Sequence, residues 1–316
     1  MFSFATSAAP GDASLARRLR QLARVFDIDE IRAGGFGESE VIEYYEQCQA
    51  AYRKHHSAEG AVHMALNDAD RFDPSGFYAP LRRIEAAWPG RMPRDVLELG
   101  FGQGFNLADL GARHPQLQFA GIDLTPVHLA LAERRILELG LANVSLRLGD
   151  FHHLPYADSS FDEVFAIEVL CHAIDLERAL AETARVLRPG GTFTLFDGYM
   201  TRPAAQFSAD EALAVELIAK GMAIDHLQSA DQISALARSN GFVRSDLTAL
   251  DAEVMPTLRR LERLTGAVIR IPWLGRRALA KRPRMRSRNV LAGYLLRTAV
   301  SMGLIGYRQI VLQRVG

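Results

Sequence analysis

The sequence predicts an α/β fold: an open, mostly parallel sheet with helices on both faces. Two observations carry this. From Arg94 onward, short apolar runs alternate with helical segments of roughly 8–14 residues, the pattern of βαβ units. The first of these runs also ends directly in glycines at alternate positions, with a helix behind them.

Taken in order, 95–100 (DVLELG) is a strand and Asn106 to Arg113 a helix. LQFAGIDL is the second strand, followed by a helix from Pro126 to Leu139. VSLRLGD and DEVFAIEV are the next two strands, Asp175 to Leu187 is a helix, and TFTLFDG is a strand. Upstream, residues 1–15 are small and polar and are expected to fray. Leu15, Leu19, Leu22, Ala23 and Phe26 recur at helical spacing. After the glycine break at 34–37, Ser39 is placed to cap a second helix, with Glu40 and Glu43 at its positive end. Residues Ser57 to Gly76 read as loop, and Gly76 to Trp88 as a third helix closed by Pro89 and Gly90. Downstream of Tyr199 the alternation stops. Helices are expected over Phe207–Gly221 and Asp231–Asn240, and FVRSDLTAL is a strand. Met255 to Gly303 reads as helical apart from a break at IPWLG and a basic linker around KRPRMRSR, and YRQIVLQRV is a last strand. The division that follows is an N-terminal helical lid (1–93), a ligand-binding core (94–254), a helical cap insertion (255–303) and the final core strand (304–316).

Composition narrows the function. The 316 residues are 48% hydrophobic and 23% charged, as in ordinary globular proteins, and Lys+Arg equals Asp+Glu at 37 each. A dedicated nucleic-acid binder would carry a basic excess. Cys48 and Cys171 lie far apart without metal-type spacing, so neither a disulfide framework nor a metal site is expected. No signal-peptide core and no run of 18 apolar residues occurs, so a cytoplasmic location is expected.

The chemistry sits in the glycine turn. Glycines at 100, 102 and 104 permit a tight turn and a close backbone approach to a ligand. The spacing G-x-G-x-G, with Glu98 two residues before the first glycine, favours a ligand with an amino-acid tail and sulfonium over a dinucleotide. Asp123, at the end of the second strand beside Leu124, suits two ribose hydroxyls, a feature that NAD would share. Asp150, ending the third strand, can take an adenine amino group while Phe151 covers the ring, and this favours S-adenosylmethionine. Glu168 and His172 follow the fourth strand, where donor and acceptor would meet.

In this order and spacing, ELGFGQG, GID, GDF, LPYADSSFDEV and RVLRPGGTF resemble the successive motifs of class I S-adenosylmethionine-dependent methyltransferases, over roughly residues 94–200. The resemblance implies a Rossmann-like seven-stranded sheet whose late strands form an antiparallel hairpin. It assigns the methionine part of the cofactor to Glu98, Gly100, Gly102 and Gly104, ribose to Asp123 and Leu124, and adenine to Asp150 and Phe151, with Glu168 beside the sulfonium. The segment YYEQCQAAYRKHH…AVHMAL is similar to the lid of sterol methyltransferase-like small-molecule C-methyltransferases. That likeness brings Tyr45 and His63 to the pocket. The candidate catalytic residues are thus His172, Glu168, Tyr45 and His63. The bland alternatives are a half-exposed aromatic stripe for the lid, a second-tier orienting role for Glu98, a turn cap for Asp150, and core packing for Phe151 and His172.

The expected reaction is methyl transfer to a hydrophobic small molecule (terpenoid, steroid or polyketide-like), with C-methylation favoured. O-methylation of a phenolic or hydroxylated product with His172 as base, or a non-catalytic binding protein of this fold, are the alternatives. The expected partner is a small-molecule acceptor, with no nucleic acid and with a homodimer left open. The basic stretch 276–288 carries seven Lys/Arg and no acid beside an apolar helix. It would suit an anionic membrane surface or a diphosphate group, or simply serve as a solvated hinge.

Overall fold

A computed structural model describes residues 10–68, 70–88 and 92–316, with side chains from Ser14. Helices α1 (Pro10–Ala23), α2 (Ile28–Arg32), α3 (Glu38–Ala51) and α4 (Ala79–Ala86) precede the sheet. The alternating region follows as β1 (Asp95–Leu99), α5 (Phe105–Arg113), β2 (Gln118–Asp123), α6 (Pro126–Glu138), β3 (Val144–Leu148), β4 (Phe161–Ile167), α7 (Leu176–Val186) and β5 (Leu187–Met200). The chain then runs through α8 (Ala209–Gly221), α9 (Ala230–Ser239), β6 (Phe242–Ala249), α10 (Asp251–Ile269), α11 (Pro272–Leu279), α12 (Arg284–Ser301) and β7 (Ile305–Arg314).

The seven strands lie in the order β3-β2-β1-β4-β5-β7-β6. β1 to β5 are parallel and β7 is antiparallel to both its neighbours. The fold class read from the sequence is the one observed, including the late antiparallel hairpin. Strand side chains alternate between two apolar layers. Phe119, Phe165 and Phe196 join one layer with α1, α8, α10 and α12. Leu97, Leu99, Val164 and Phe193 join the other with α7 and α9. The helices start where polar caps allow: the Asp175 carboxylate accepts from the Arg178 N–H at 2.9 Å, and Ser208–Glu211 and Ser229–Gln232 form reciprocal capping boxes.

Several boundaries differ from expectation. α3 is capped at Gly37, whose N–H donates to Glu40 at 2.9 Å, while Ser39 lies inside the helix. The Glu40 carboxylate, long enough to fold back on the turn, does the capping instead of the serine hydroxyl. The third helix begins with a tight 3-10 turn over Pro74–Tyr78 and becomes α-helical only at Ala79. Its expected stop at Pro89 and Gly90 lies outside the described residues. The IPWLG break is confined to Arg270 and Ile271, because Pro272 stands at a first-turn position that lacks an N–H partner anyway. The basic stretch is correspondingly helical on both sides of a turn at 280–283. α1 is helical from Pro10, inside the stretch expected to fray.

The sheet buries one carboxyl far from any cleft: Glu163 on β4 is 4% exposed and accepts a bond from the Thr194 hydroxyl at 2.9 Å. Burial pushes its pKa up to about 8. Because the folded value lies above the unfolded one, the associated stability is present below about pH 4.5 and is lost as pH rises through about 8. Glu163→Gln should therefore leave stability at pH 5 nearly unchanged. At pH 9 it should raise stability by on the order of 2 kcal/mol, measured as urea unfolding midpoints across the pH range.

Candidate active site

The sequence order and the strand order together open a cleft at the C-terminal ends of the strands, where β1 has β2 on one side and β4 on the other. Gly100, Gly102 and Gly104 all take left-handed backbone, with φ of +66°, +52° and +72°. A Cβ at Gly100 would meet Val169 Cγ2 at 2.5 Å, and one at Gly102 would meet Val62 Cγ2 at 2.9 Å. The turn is thus fitted between the lid and the segment after β4.

A first chamber lies over this turn. Gly100, Gly102, Asp123, Leu124, Asp150, Phe151 and Glu168 all line it, as do Tyr45 and His172. Asp123 is held rigidly: it accepts from the Gly102 N–H and the Thr125 N–H, both at 2.8 Å. Asp150 accepts from the His152 N–H at 2.9 Å and from His152 Nδ1 at 2.5 Å, and the Phe151 and His152 rings sit 4.6 Å apart. Four carboxylates, those of Glu38, Asp123, Asp150 and Glu168, border the chamber, and no Lys or Arg does. That charge balance repels a pyrophosphate and suits a ligand carrying a sulfonium and an ammonium group. Glu98 and Gly104 do not border it. Glu98 is 1% exposed behind the turn, its Oε1 bonded at 2.6 Å to Asn106 and its Oε2 without a partner. Gly104 provides the close approach of α5 to Ala132 on α6.

A second, largely apolar chamber adjoins the first. It is bordered by Tyr45, His63, Met64, Ile224, Leu258 and Tyr307 among others, and it shares Glu168 and His172 with the first. Glu168 terminates β4 with a left-handed φ of +56°, which aims its carboxylate into the junction. Oε1 accepts from the Met64 N–H at 2.6 Å and from the Tyr307 hydroxyl at 2.8 Å. Although one side faces cavity space, the carboxyl lies deep in the protein, and burial pushes its pKa up to about 7. The His172 Nδ1 lies 3.1 Å from the Ala223 carbonyl, which can only accept, so this nitrogen carries the proton. Nε2 therefore accepts from the Tyr45 hydroxyl at 3.0 Å. Burial pushes the His172 pKa down to about 4. His63 Nδ1 contacts the Met64 carbonyl and its Nε2 the Asn106 carboxamide, both at 3.1 Å.

Tyr45, Glu168 and His172 border both chambers, and His63 borders the second alone. Sequence reasoning missed Tyr307, Asn106, Asp197 and Met64. Asp197 borders the second chamber, receives the Cys171 N–H at 3.1 Å, and has its pKa pushed up to about 6 by burial. A polar residue inside the apolar run TFTLFDG was its only sequence signal. Met64 acts through its backbone and carried no signal.

Residues 97–195 match the family model described as a methyltransferase domain. The chain is 30% identical over 187 residues to methyltransferase GfsG of Streptomyces halstedii, covering 59% of this chain and 65% of that protein. It is 29% identical over 164 residues to 24-methylenesterol C-methyltransferase 2 of Oryza sativa subsp. japonica, covering 52% and 44%. It therefore spans less than two thirds of these relatives. The solved structure of the [4+2]-cyclase SpnF superposes with a TM-score of 0.69 at 20% identity, over 90% of this chain and all of that one.

A seven-stranded sheet of this order with a glycine turn over an acidic chamber defines a Rossmann-like methyltransferase fold. Residues 97–195 match a methyltransferase domain, the chain is similar to methyltransferases over about half its length, and S-adenosylmethionine is the cofactor that its first chamber fits.

Isothermal titration should give micromolar binding of S-adenosylhomocysteine, no binding of NAD, and an affinity loss on the order of a hundredfold in Asp123→Ala. NAD binding equal to that of S-adenosylhomocysteine would overturn the assignment of this chamber.

Proposed function

We propose that this protein transfers a methyl group to a hydrophobic small molecule, a terpenoid, steroid or polyketide-like acceptor, with carbon as the favoured nucleophile. The observation that carries the proposal is the placement of Glu168 on the shared wall of the donor and acceptor chambers. The name of the rice relative, a sterol C-methyltransferase, supports the class of acceptor.

The cofactor supplies an electrophilic methyl on a sulfonium. The protein's own residues align, shield and deprotonate. The apolar walls Ile224, Leu258 and Leu296 exclude water from the acceptor. Tyr44, Tyr45 and Tyr52 border the same chamber, and their ring faces attract positive charge developing on the acceptor. Glu168 accepts the proton that the methylated acceptor releases, and Tyr307 and the Met64 N–H hold the carboxylate in place. His172, with Nδ1–H given to Ala223 and its lone pair taken by Tyr45, positions the tyrosine. His63 anchors the lid through Asn106 to Glu98 and so orients the glycine turn from behind. In the donor chamber Gly100, Gly102, Asp123, Leu124, Asp150 and Phe151 hold the cofactor. Residues 1–93 and 255–303 together act as the cover over both chambers.

O-methylation is the second reading. It would also draw on Glu168, since a histidine pushed down to about pKa 4 with its lone pair engaged is a weak base. Both cysteines are free thiols, which fits work in a reducing cytoplasm.

Glu168 takes a proton only when ionised. With its pKa pushed up to about 7, kcat should rise with pH through about 7 and level off above about 8. Assays with labelled donor against terpenoid, sterol and phenolic acceptors should show kcat falling on the order of 10²–10⁴-fold in Glu168→Gln, the acid limb abolished, and S-adenosylhomocysteine affinity retained. An acid limb that persists in Glu168→Gln would assign the base elsewhere.

A further inference from the structure

The chain is electrically lopsided in a way its neutral total conceals. After Glu262 no Asp or Glu occurs, while twelve of the 37 Lys and Arg do. The hairpin of α10 and α11 concentrates this charge. Arg270, Arg276, Arg277 and Lys281 are exposed and have no carboxylate partner among the described residues. Large apolar side chains stand among them: Trp273 is 68% exposed, Leu264 45%, Ile271 44% and Leu274 42%. Ile271, Trp273 and Leu274 are contiguous at the hairpin tip, and on α11 Trp273 and Arg277 are four apart and share a face. A water-facing helix tip has no reason to expose an indole and three large aliphatic or apolar groups together. An indole with flanking cations is the composition that a bilayer interface selects, with ring and aliphatic groups at headgroup depth and cations on anionic lipid. A nucleic-acid surface would use the cations but not the leucine and isoleucine.

The tip continues into a third chamber. Leu264, Val268 and Ile271 recur at helical spacing, and the first two line a cavity that also holds Arg282, Arg286, Cys48 and Tyr52. Glu168, Val62 and Tyr52 also border it, so it adjoins the second chamber. Among the described residues Arg282 and Arg286 have no acidic partner either, and burial with the Arg286 charge nearby lowers the Arg282 pKa. A cavity with Arg282 and Arg286 on its wall therefore lies between the second chamber and the exposed tip.

We infer that the α10–α11 tip docks on an anionic membrane surface and that the third chamber opens toward it, so that the acceptor enters from the lipid phase. No helix among the described residues is long and apolar enough to cross a bilayer, so this contact is peripheral. The docking stands on the surface alone; only the loading of an acceptor rests on the methyl-transfer reading.

The test uses the full chain with vesicles of phosphatidylcholine alone or with about 30 mole per cent phosphatidylglycerol. Trp88 is 4% exposed, so a blue shift of tryptophan emission and quenching by brominated lipid report on Trp273. We expect flotation with anionic vesicles and a blue shift, weakening with salt, and neither with neutral vesicles. Replacing Arg276, Arg277 and Lys281 by Gln should lower the partition coefficient on the order of a hundredfold. Trp273→Ser with Leu274→Ser should also abolish flotation, with circular dichroism and S-adenosylhomocysteine titration unchanged in both variants. Absence of flotation, flotation equal on neutral vesicles, or binding that survives the Gln variant would overturn the docking. Tight binding of soluble dodecyl phosphate or duplex DNA without vesicle binding would do the same, by assigning the cations to a free anion. A protein that floats but does not bind S-adenosylhomocysteine would keep the docking and sink the methyl-transfer reading instead.

Discussion

The bonds to Glu168 hold together parts of the chain that are remote in sequence. The carboxylate ends β4, the Met64 N–H comes from the N-terminal lid, and the Tyr307 hydroxyl comes from the last strand. Hydrogen bonds to a charged group contribute roughly 1.5–3 kcal/mol each, enough to offset the cost of a left-handed non-glycine backbone, about 1–3 kcal/mol. The same strain aims the side chain into the cavity. The lid segment is also tied to α10, where the Thr257 hydroxyl donates to the Ala65 carbonyl and the Asn67 N–H donates to the Glu253 carbonyl, both at 2.8 Å. One carboxylate thus both secures the lid and borders both chambers.

Around that clamp, side chains sort by charge rather than by polarity alone. Carboxylates border the donor chamber, aromatic and aliphatic groups border the acceptor chamber, and arginines border the far opening. Each choice follows from what low dielectric does to an unpaired charge. The Asp123 carboxylate is held by the Gly102 and Thr125 N–H groups, with no Lys or Arg on the wall of its chamber among the described residues. The chain of Tyr45, His172 and the Ala223 carbonyl shows the opposite solution, in which every polar atom is paired internally and the imidazole stays neutral.

Much of the fold was legible because the alternation of apolar runs and glycine turns is a local property. β1 to β5 and α5 to α7 fall within a few residues of where that pattern puts them, except that β5 starts five residues early, at Leu187. The placements that failed were decided by competition between neighbours: Glu40 outreaching Ser39 as a cap, or a proline that starts a helix instead of ending one. In the site, residues adjacent to strand ends could be read directly. Glu98 could not be, since which side of the turn it faces depends on Asn106 in the first turn of α5. Tyr307 enters the site from 139 residues away, through the register of an antiparallel pair that no local signal reveals.

The acid-free segment after Glu262 shows how sequence and structure divide the information. Composition over the whole chain reports neutrality, and only a window over the last 54 residues shows the imbalance. Even that window does not separate a structural cation from a free one. Arg288 is 4% exposed and faces Glu30, and Arg297 pairs with the buried Glu262, so both are spent on packing the helical cover. The remaining cations of the hairpin face solvent beside an exposed indole. Helical geometry makes this sorting: on α12 the positions of Arg284 and Arg288 meet α2, while Arg286 turns toward the cavity. One run of like charge is thereby neutralised where it packs the cover and left unpaired, among the described residues, where it faces the cavity and solvent.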